Sequence, residues 1–220
     1  MPRTVLDGFT GWVEDAAAMG VGLALGAQIA LRAGIAASPR PMPHQMAGRL
    51  EHRWRLAYRS PARLLARLGL FAGMTVADLG CGTGLLTLEM ARQVGAGGVV
   101  HAVDIQAPML AHAARRIAAE SLDARLRLHH AGLHELPLPD ASLDAAALVA
   151  VLGETPAREL ALCEVQRVLK PGGRLAISEE LPDPAYLPAP LVRRWAQAAG
   201  LRFGGQTGTP FCYVQLYYRD

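Results

Sequence analysis

Residues 76–84 read Val-Ala-Asp-Leu-Gly-Cys-Gly-Thr-Gly: a short apolar run enters a turn with glycine at every second position, and residues 85–94 then take up helical spacing. A strand, a glycine-dense turn and a helix in direct succession confine the chain to an α/β architecture in which the carboxyl end of a parallel strand opens onto a ligand. Gly80, Gly82 and Gly84 let the backbone adopt positive φ and leave no side chain between the main chain and that ligand. Asp78, two residues before the first of them, brings a carboxylate to the strand end. A second buried-looking run, Gly-Val-Val-His-Ala-Val-Asp at 98–104, ends in Asp104. That acid lies about twenty residues past the turn, where doubly wound folds carry the group that accepts from a ribose hydroxyl.

The glycine spacing discriminates between ligand classes. A dinucleotide fingerprint needs Gly-x-Gly-x-x-Gly, but the sixth position is Leu85 counted from Gly80 and Thr87 counted from Gly82, so neither register fits. The Asp-x-Gly-x-Gly-x-Gly pattern at 78–84 resembles instead the first motif of the class I S-adenosylmethionine-dependent methyltransferases, in particular a methyltransferase type 11-like domain. Two later segments continue the resemblance. Ala-Gly-Leu-His-Glu-Leu-Pro-Leu-Pro-Asp at 131–140, followed by Ser142-Leu143-Asp144, is similar to the segment before the family's fourth strand. Glu-Val-Gln-Arg-Val-Leu-Lys-Pro-Gly-Gly-Arg-Leu at 164–175 is similar to its approach to the fifth. The three motifs, in order, extend the likeness over residues 68–219.

The resemblance implies a doubly wound, Rossmann-like α/β sheet of about seven strands with an antiparallel last strand, and S-adenosyl-L-methionine as cofactor. Carried onto this chain, the turn Gly80, Cys81, Gly82, Thr83, Gly84 passes beneath the methionine and ribose portions, Asp78 engages the amino-acid end and Asp104 holds the ribose hydroxyls. Ile105 and Met109 pack against adenine, and Gly132 and Leu133 give backbone contacts. One departure stands in this chain: where many relatives have Gly-Asp-Ala before the Leu-Pro, it has Ala131-Gly132-Leu133, so the carboxylate that accepts from the adenine amino group is missing.

A sulfonium cofactor brings its methyl as an activated electrophile, so the protein must mainly hold a nucleophile in line and, where necessary, remove a proton. The candidates for that second task are Glu154, in Leu-Gly-Glu after the fourth strand, His134, and His44, which with His52 precedes the domain. Glu154 reads equally well as a helix N-terminal acid facing solvent. Glu179 and Glu180 end the fifth strand, but adjacent strand residues point to opposite faces, and Tyr213 is expected in packing. No catalytic triad, metal-ligand spacing or phosphate-binding Walker loop is present, so no metal is expected.

Charge is unevenly distributed. Lys170 is the single lysine, and the arginine bias with abundant alanine points to composition rather than to nucleic-acid binding. Residues 1–70 carry nine arginines against Asp7, Glu14, Asp15 and Glu51, a balance of +5 within a chain whose net charge is +3. Residues 16–31 contain no charge and only Gln28 as a strongly polar side chain. As a helix they span about 24 Å at ~1.5 Å per residue, short of the ~30 Å of a bilayer core. Acids before this run and arginines after it orient a membrane helix with its C-terminal side in the cytoplasm, and Ala18, Gly22, Gly26 and Ala30 form a ladder of small residues suited to close helix packing. Read without a membrane, the same run is a helix packed on the domain or on a second subunit, which keeps a homodimer open. Pro39, Pro41 and Pro43 then break any helix and act as a spacer. A basic stretch at 49–67 is either attracted to anionic headgroups or a solvated helical face. Cys81, Cys163 and Cys212, widely spaced, fit a reducing compartment.

The chain thus divides into an apolar helix with a proline-rich spacer at 1–43, a basic helical segment at 44–70 and a methyltransferase-like domain at 71–220. Within the domain, strands are predicted at 75–79, 99–104, 125–129, 143–151, 174–179, 201–205 and 210–218, and helices at 85–94, 108–120, 158–169 and 187–199. The expected activity is methyl transfer to a small-molecule or lipid-like acceptor, with the protein cytoplasmic and held at the inner face of the cytoplasmic membrane. Two readings stand beside it: a soluble enzyme whose N-terminal helices form a lid, and a cofactor-binding but inactive interaction protein.

Overall fold

Val76, Ala77, Asp78 and Leu79 are all buried, the signature of a central parallel strand covered on both faces. That strand, Thr75–Leu79 (β1), pairs in parallel with Val99–Asp104 (β2) on one side and Leu143–Val149 (β4) on the other. Arg125–His130 (β3) adds outside β2, and Leu169–Glu180 (β5) outside β4. Cys212–Arg219 (β7) runs antiparallel to β5, and Leu201–Thr209 (β6) closes the edge, giving one sheet in the order β3-β2-β1-β4-β5-β7-β6. The computed structural model describes residues 5–49, 61–120, 122, 125–181 and 183–220. Its doubly wound sheet with an antiparallel last strand is the architecture implied by the motifs.

Helices cover both faces. Arg158–Val168 (α5) and Ala189–Ala198 (α6) lie on one, where Leu162, Val165 and Val192 pack with Leu79, Leu148 and Tyr217. Pro61–Leu68 (α2) and Leu85–Val94 (α3) lie on the other, where Leu64, Leu65 and Leu68 meet Val76, Met90 and Val100. Helix α2 therefore belongs to the core of the domain, whereas the sequence grouped it with the basic segment; its leucines recur at helical spacing while Arg67 stays outside. The rest of that segment splits into a short 3-10 helix, His44–Arg49, and residues 50–60, including His52, which lie outside the described residues. Helix Ala107–Ala118 (α4) follows β2.

Several strand ends differ from expectation for physical reasons. Strand β4 stops at Val149 rather than at 151 because Ala150 takes φ 54°, a conformation no extended strand tolerates. Strand β6 runs on to Thr209 because Gln206, Thr207 and Gly208 find register partners on β7, a gain invisible to local pattern. Tyr213 packs as expected: it is buried, and its hydroxyl donates to the Leu187 carbonyl at 2.7 Å. Cys81 is buried, Cys163 exposed and Cys212 half-buried, none in a disulfide.

The segment 131–142 between β3 and β4 is held by a pair of α5 side chains, Arg167 and Glu164, the latter accepting the Leu136 N–H at 2.9 Å. Arg167 of α5 forms a bidentate pair with Glu164, bonds Asp140 at 2.6 Å, and donates to the carbonyls of Leu138 and Leu136 at 3.0 and 3.1 Å. Its hydrogen bond lowers the Glu164 carboxyl below its ordinary value. Arg167→Ala leaves two carbonyls without this donor and is expected to cost about 1–2 kcal/mol, allowing for solvent screening. Urea unfolding checks it; an unchanged midpoint would show that the loop holds itself.

At the β2–β3 edge, His101 Nδ1 lies 2.9 Å from His129 Nε2 with the rings stacked. Burial, with the neighbouring His129 and Arg127 adding to it, pushes His101 down from 6.5 to about 4. The unfolded chain therefore binds this proton first as pH falls, so stability present above about pH 6.5 is lost progressively toward about pH 4, by about 1–2 kcal/mol after screening. Urea midpoints at about pH 7.5 and about pH 5 should differ in the wild type and converge in His101→Leu.

The N-terminal helix, Val5–Ala37 (α1), stands apart from this packing. Its segment Ala18–Ala37 is long and apolar enough to cross a membrane by length and composition, and none of its described side chains is buried. Leu23 and Met19 are 72% and 68% exposed, so within this chain the helix is not the buried element that packing on the domain would make it. It touches the body through Arg32, which donates to the Leu181 carbonyl and lies over the Tyr186 ring.

Candidate functional site

The carboxyl ends of β1, β2 and β4 converge on a cavity of about 320 Å3, within the size range of small-molecule sites. The turn after β1 is shaped by Gly80 at φ 77° and Gly82 at φ 52°, values that disfavour any residue with a Cβ. It is pinned to the neighbouring strand: the Gly80 and Cys81 N–H groups both donate to the Val103 carbonyl, at 2.8 and 2.9 Å. The Gly82 N–H donates to Asp104 Oδ2 at 2.9 Å, and the Gln106 N–H to Asp104 Oδ1 at 2.8 Å. Burial holds the Asp104 carboxyl above its ordinary value despite these two donors, which pull it down. Asp78 is also buried, and the Thr87 hydroxyl donates to its Oδ2 at 2.6 Å. Burial, together with Asp78 and Asp104, drives the Cys81 thiol far up, so it stays neutral.

Gly84 has a different task from its two companions. It is not among the residues lining the cavity; a Cβ there would come within 2.9 Å of the Ala113 Cβ, so this glycine lets α3 approach α4. Asp78, Gly80, Cys81, Gly82, Thr83, Asp104, Ile105, Met109, Gly132 and Leu133 all line the cavity. A Cβ on Gly132 would come within 2.8 Å of His134 Nδ1, because that imidazole folds back over the glycine. At the position where the resemblance implies a carboxylate, the His134 ring therefore takes the space that a side chain would need.

The rest of the lining is mainly apolar: Val149, Ala150, Val151, Pro156 and Ala157 line the cavity along with Pro41 and Met42 of the proline-rich spacer. The four carboxylates in the lining are Asp78, Asp104, Glu154 and Asp183, and among the described lining residues there is no arginine or lysine. Such a lining accommodates a ligand bearing positive charge and apolar surface, and disfavours an anion.

The three candidates for proton removal separate. Glu154 lines the cavity on the 3-10 turn Leu152–Glu154, and its Oε2 accepts the Met42 N–H at 2.9 Å. Arg158 fixes that turn by donating to the Leu152 and Gly153 carbonyls at 3.0 and 2.9 Å. His134 sits exposed at the rim. His44, half-buried on its own 3-10 helix, is outside the lining, and so are the buried Glu179 and Glu180. Sequence reasoning did not single out Met42, Thr87, Gln106 or Asp183. Thr87 carried a faint signal, a β-branched polar residue within Leu-Leu-Thr-Leu on the helix after the turn; the others carried none.

Comparison with known proteins adds four matches. A family model described as a methyltransferase domain matches residues 77–177. The chain is 35% identical over 117 residues to a demethylmenaquinone methyltransferase of Lactobacillus johnsonii, covering 53% of this chain and 48% of that one. It is 31% identical over 145 residues to a ubiquinone/menaquinone biosynthesis C-methyltransferase of Marinomonas sp., covering 66% and 55%. The chain thus spans about half the length of the curated relatives it matches. Among solved structures, a SAM-dependent methyltransferase from Aquifex aeolicus superposes with a TM-score of 0.76 at 25% identity, over 82% of this chain and all of the other.

Proposed function

We propose that this chain, a class I S-adenosylmethionine-dependent methyltransferase, methylates a small-molecule or lipid-like acceptor at the cytoplasmic face of a membrane. The observation that carries this reading is the mainly apolar cavity beside the glycine turn, with carboxylates but no cationic side chain in its described lining. The names of the quinone methyltransferases it resembles support a small-molecule acceptor.

The residues present suit the cofactor. Gly82 opens the main chain to it, Asp104 keeps lone pairs beyond its two N–H donors for the ribose hydroxyls, and Asp78 faces the amino-acid end. Ile105, Met109 and Leu133 form an apolar slot for a flat ring, with Gly132 and Leu133 offering backbone groups. Bound there, S-adenosylmethionine supplies an activated methyl group on a sulfonium. The chain's own contribution is to hold donor and acceptor in line and to keep water out with the wall from Val149 to Val151. His134, the one imidazole in the described lining, takes the proton where the acceptor must lose one.

Helix α1 supports the membrane location. In this reading residues 1–43 anchor and space the protein, and the catalytic fold begins with the buried leucines of α2. Burial of the exposed apolar face of α1 is not screened by salt, whereas arginine attraction to lipid is. The intact protein should therefore stay in the membrane fraction after a high-salt wash, and its recovery in the soluble fraction without detergent would overturn the anchor.

The soluble-enzyme reading is favoured by one observation, the seating of Pro41 and Met42 on the cavity. Calorimetric titration with S-adenosylmethionine, followed by mass spectrometry of lipid and aqueous extracts incubated with protein and cofactor, separates the cases. Methylation confined to the lipid extract supports the proposal. Methylation confined to the aqueous extract supports the soluble enzyme, and binding without turnover in either supports the inactive interaction protein.

A further inference from the structure

The segment Pro41-Met42-Pro43 has a single backbone N–H, because proline has none. That one donor is spent on a side chain 112 residues away, Glu154 Oε2, at 2.9 Å. The carbonyl of the same Met42 accepts from Gln106 Nε2 at 3.0 Å. Both polar groups of one residue are thus held by side chains from opposite sides of the cavity, and Pro41 and Met42 lie across it. The two holding side chains are themselves fixed. Glu154 sits on a turn whose carbonyls are bound by Arg158, and the main-chain N–H of Gln106 rests on Asp104, the acid assigned to the ribose.

We propose that Glu154 is a positioning residue: by clasping the Met42 N–H, with Gln106 as the second hold, it fixes the proline strap as the roof of the acceptor half of the site. The proposal rests on the methyltransferase reading above and reassigns Glu154 from proton acceptor to clasp. Stiff prolines on either side limit where Met42 can go once its N–H is held. Its unbranched thioether then presents an adaptable apolar surface to the acceptor. Because Gln106 touches both the strap and Asp104, seating of the roof is sensed at the cofactor's ribose position.

The test separates a clasp from a base through the conservative variant, since a glutamine side-chain oxygen also accepts an N–H but does not take up a proton at neutral pH. In the full-length protein, hydrogen exchange of a peptide containing 41–43 reads the Met42 amide alone within that triplet. Glu154→Ala should speed its exchange at least about tenfold, the equivalent of one hydrogen bond, and Glu154→Gln should recover most of the protection. With an acceptor, Glu154→Ala should raise KM by about tenfold with kcat changed far less, and Glu154→Gln should recover most of the KM. An unprotected Met42 amide in the wild type, or protection unchanged in Glu154→Ala, overturns the clasp. So does a Glu154→Gln variant as impaired in kcat as Glu154→Ala while its Met42 amide stays protected, the pattern of a base. Exchange needs no acceptor, so it decides the clasp even if the methyltransferase reading fails, and a failure of that reading shows separately as absent S-adenosylmethionine binding.

Discussion

Asp104→Ala is expected to weaken S-adenosylmethionine binding by between about tenfold and about a hundredfold. Charge-assisted hydrogen bonds contribute roughly 1.5–3 kcal/mol, and this carboxylate does more than meet the ribose. It also accepts the N–H groups of Gly82 and Gln106, so its removal leaves the Gly82 end of the turn, still held to β2 through Val103, without its side-chain partner and leaves the start of α4 without its anchor. Asp104→Asn keeps one acceptor oxygen and should fall between the two. Because burial holds this carboxyl above its ordinary value, cofactor affinity should weaken on acidification at a higher pH than an exposed aspartate would give. Gly82→Val should lose more than either, since a β-branched residue resists φ 52° and its side chain enters the space above the turn. Calorimetry on variants whose circular dichroism matches the wild type measures these losses; unchanged affinity in Asp104→Ala would remove it from the cofactor site.

Gly153→Ala should be the most destabilising single methyl addition near the site. A Cβ at this position would overlap the Ala185 carbonyl oxygen and lie 2.8 Å from its carbonyl carbon. The obstacle is backbone, so no side chain can swing away. The turn itself cannot retreat easily, because Leu152 is fully buried beside it and Arg158 holds its carbonyls. Overpacking of this kind costs about 3 kcal/mol, which for a chain of this size lowers Tm by roughly 6–12 °C. Acceptor KM should rise as well, because the displaced turn carries Glu154. Gly172→Ala is the control: its φ of 76° strains alanine, but nothing lies within 4 Å of the added Cβ, so only the conformational cost of about 1 kcal/mol applies. Equal melting temperatures for the two variants would mean that the 185 loop yields freely.

The part of this protein written locally in its sequence is the strand, glycine turn and helix at 75–94, with the second acid-tipped strand at 99–104. These depend on near neighbours: apolar β-formers, glycines that tolerate positive φ, and an acid placed near the carboxyl end of each run, Asp78 in one and Asp104 in the other. The antiparallel close of the sheet was legible through the motifs, though the reach of β6 to Thr209 was not, because pairing with β7 rather than local propensity extends it. Three glycines that look alike in sequence received separate tasks from the fold, two facing the cavity and Gly84 spacing two helices. The three leucines of α2 joined the core because the sheet face above them needed covering, and a segment's own pattern cannot announce which face that will be. The apolar character of α1 was fixed by composition; that nothing in the described chain buries it is a tertiary result. The roof over the site belongs wholly to the tertiary structure, since a hydrogen bond between Met42 and Glu154 needs the chain to bring together residues 112 apart, and no local physical signal marks either end.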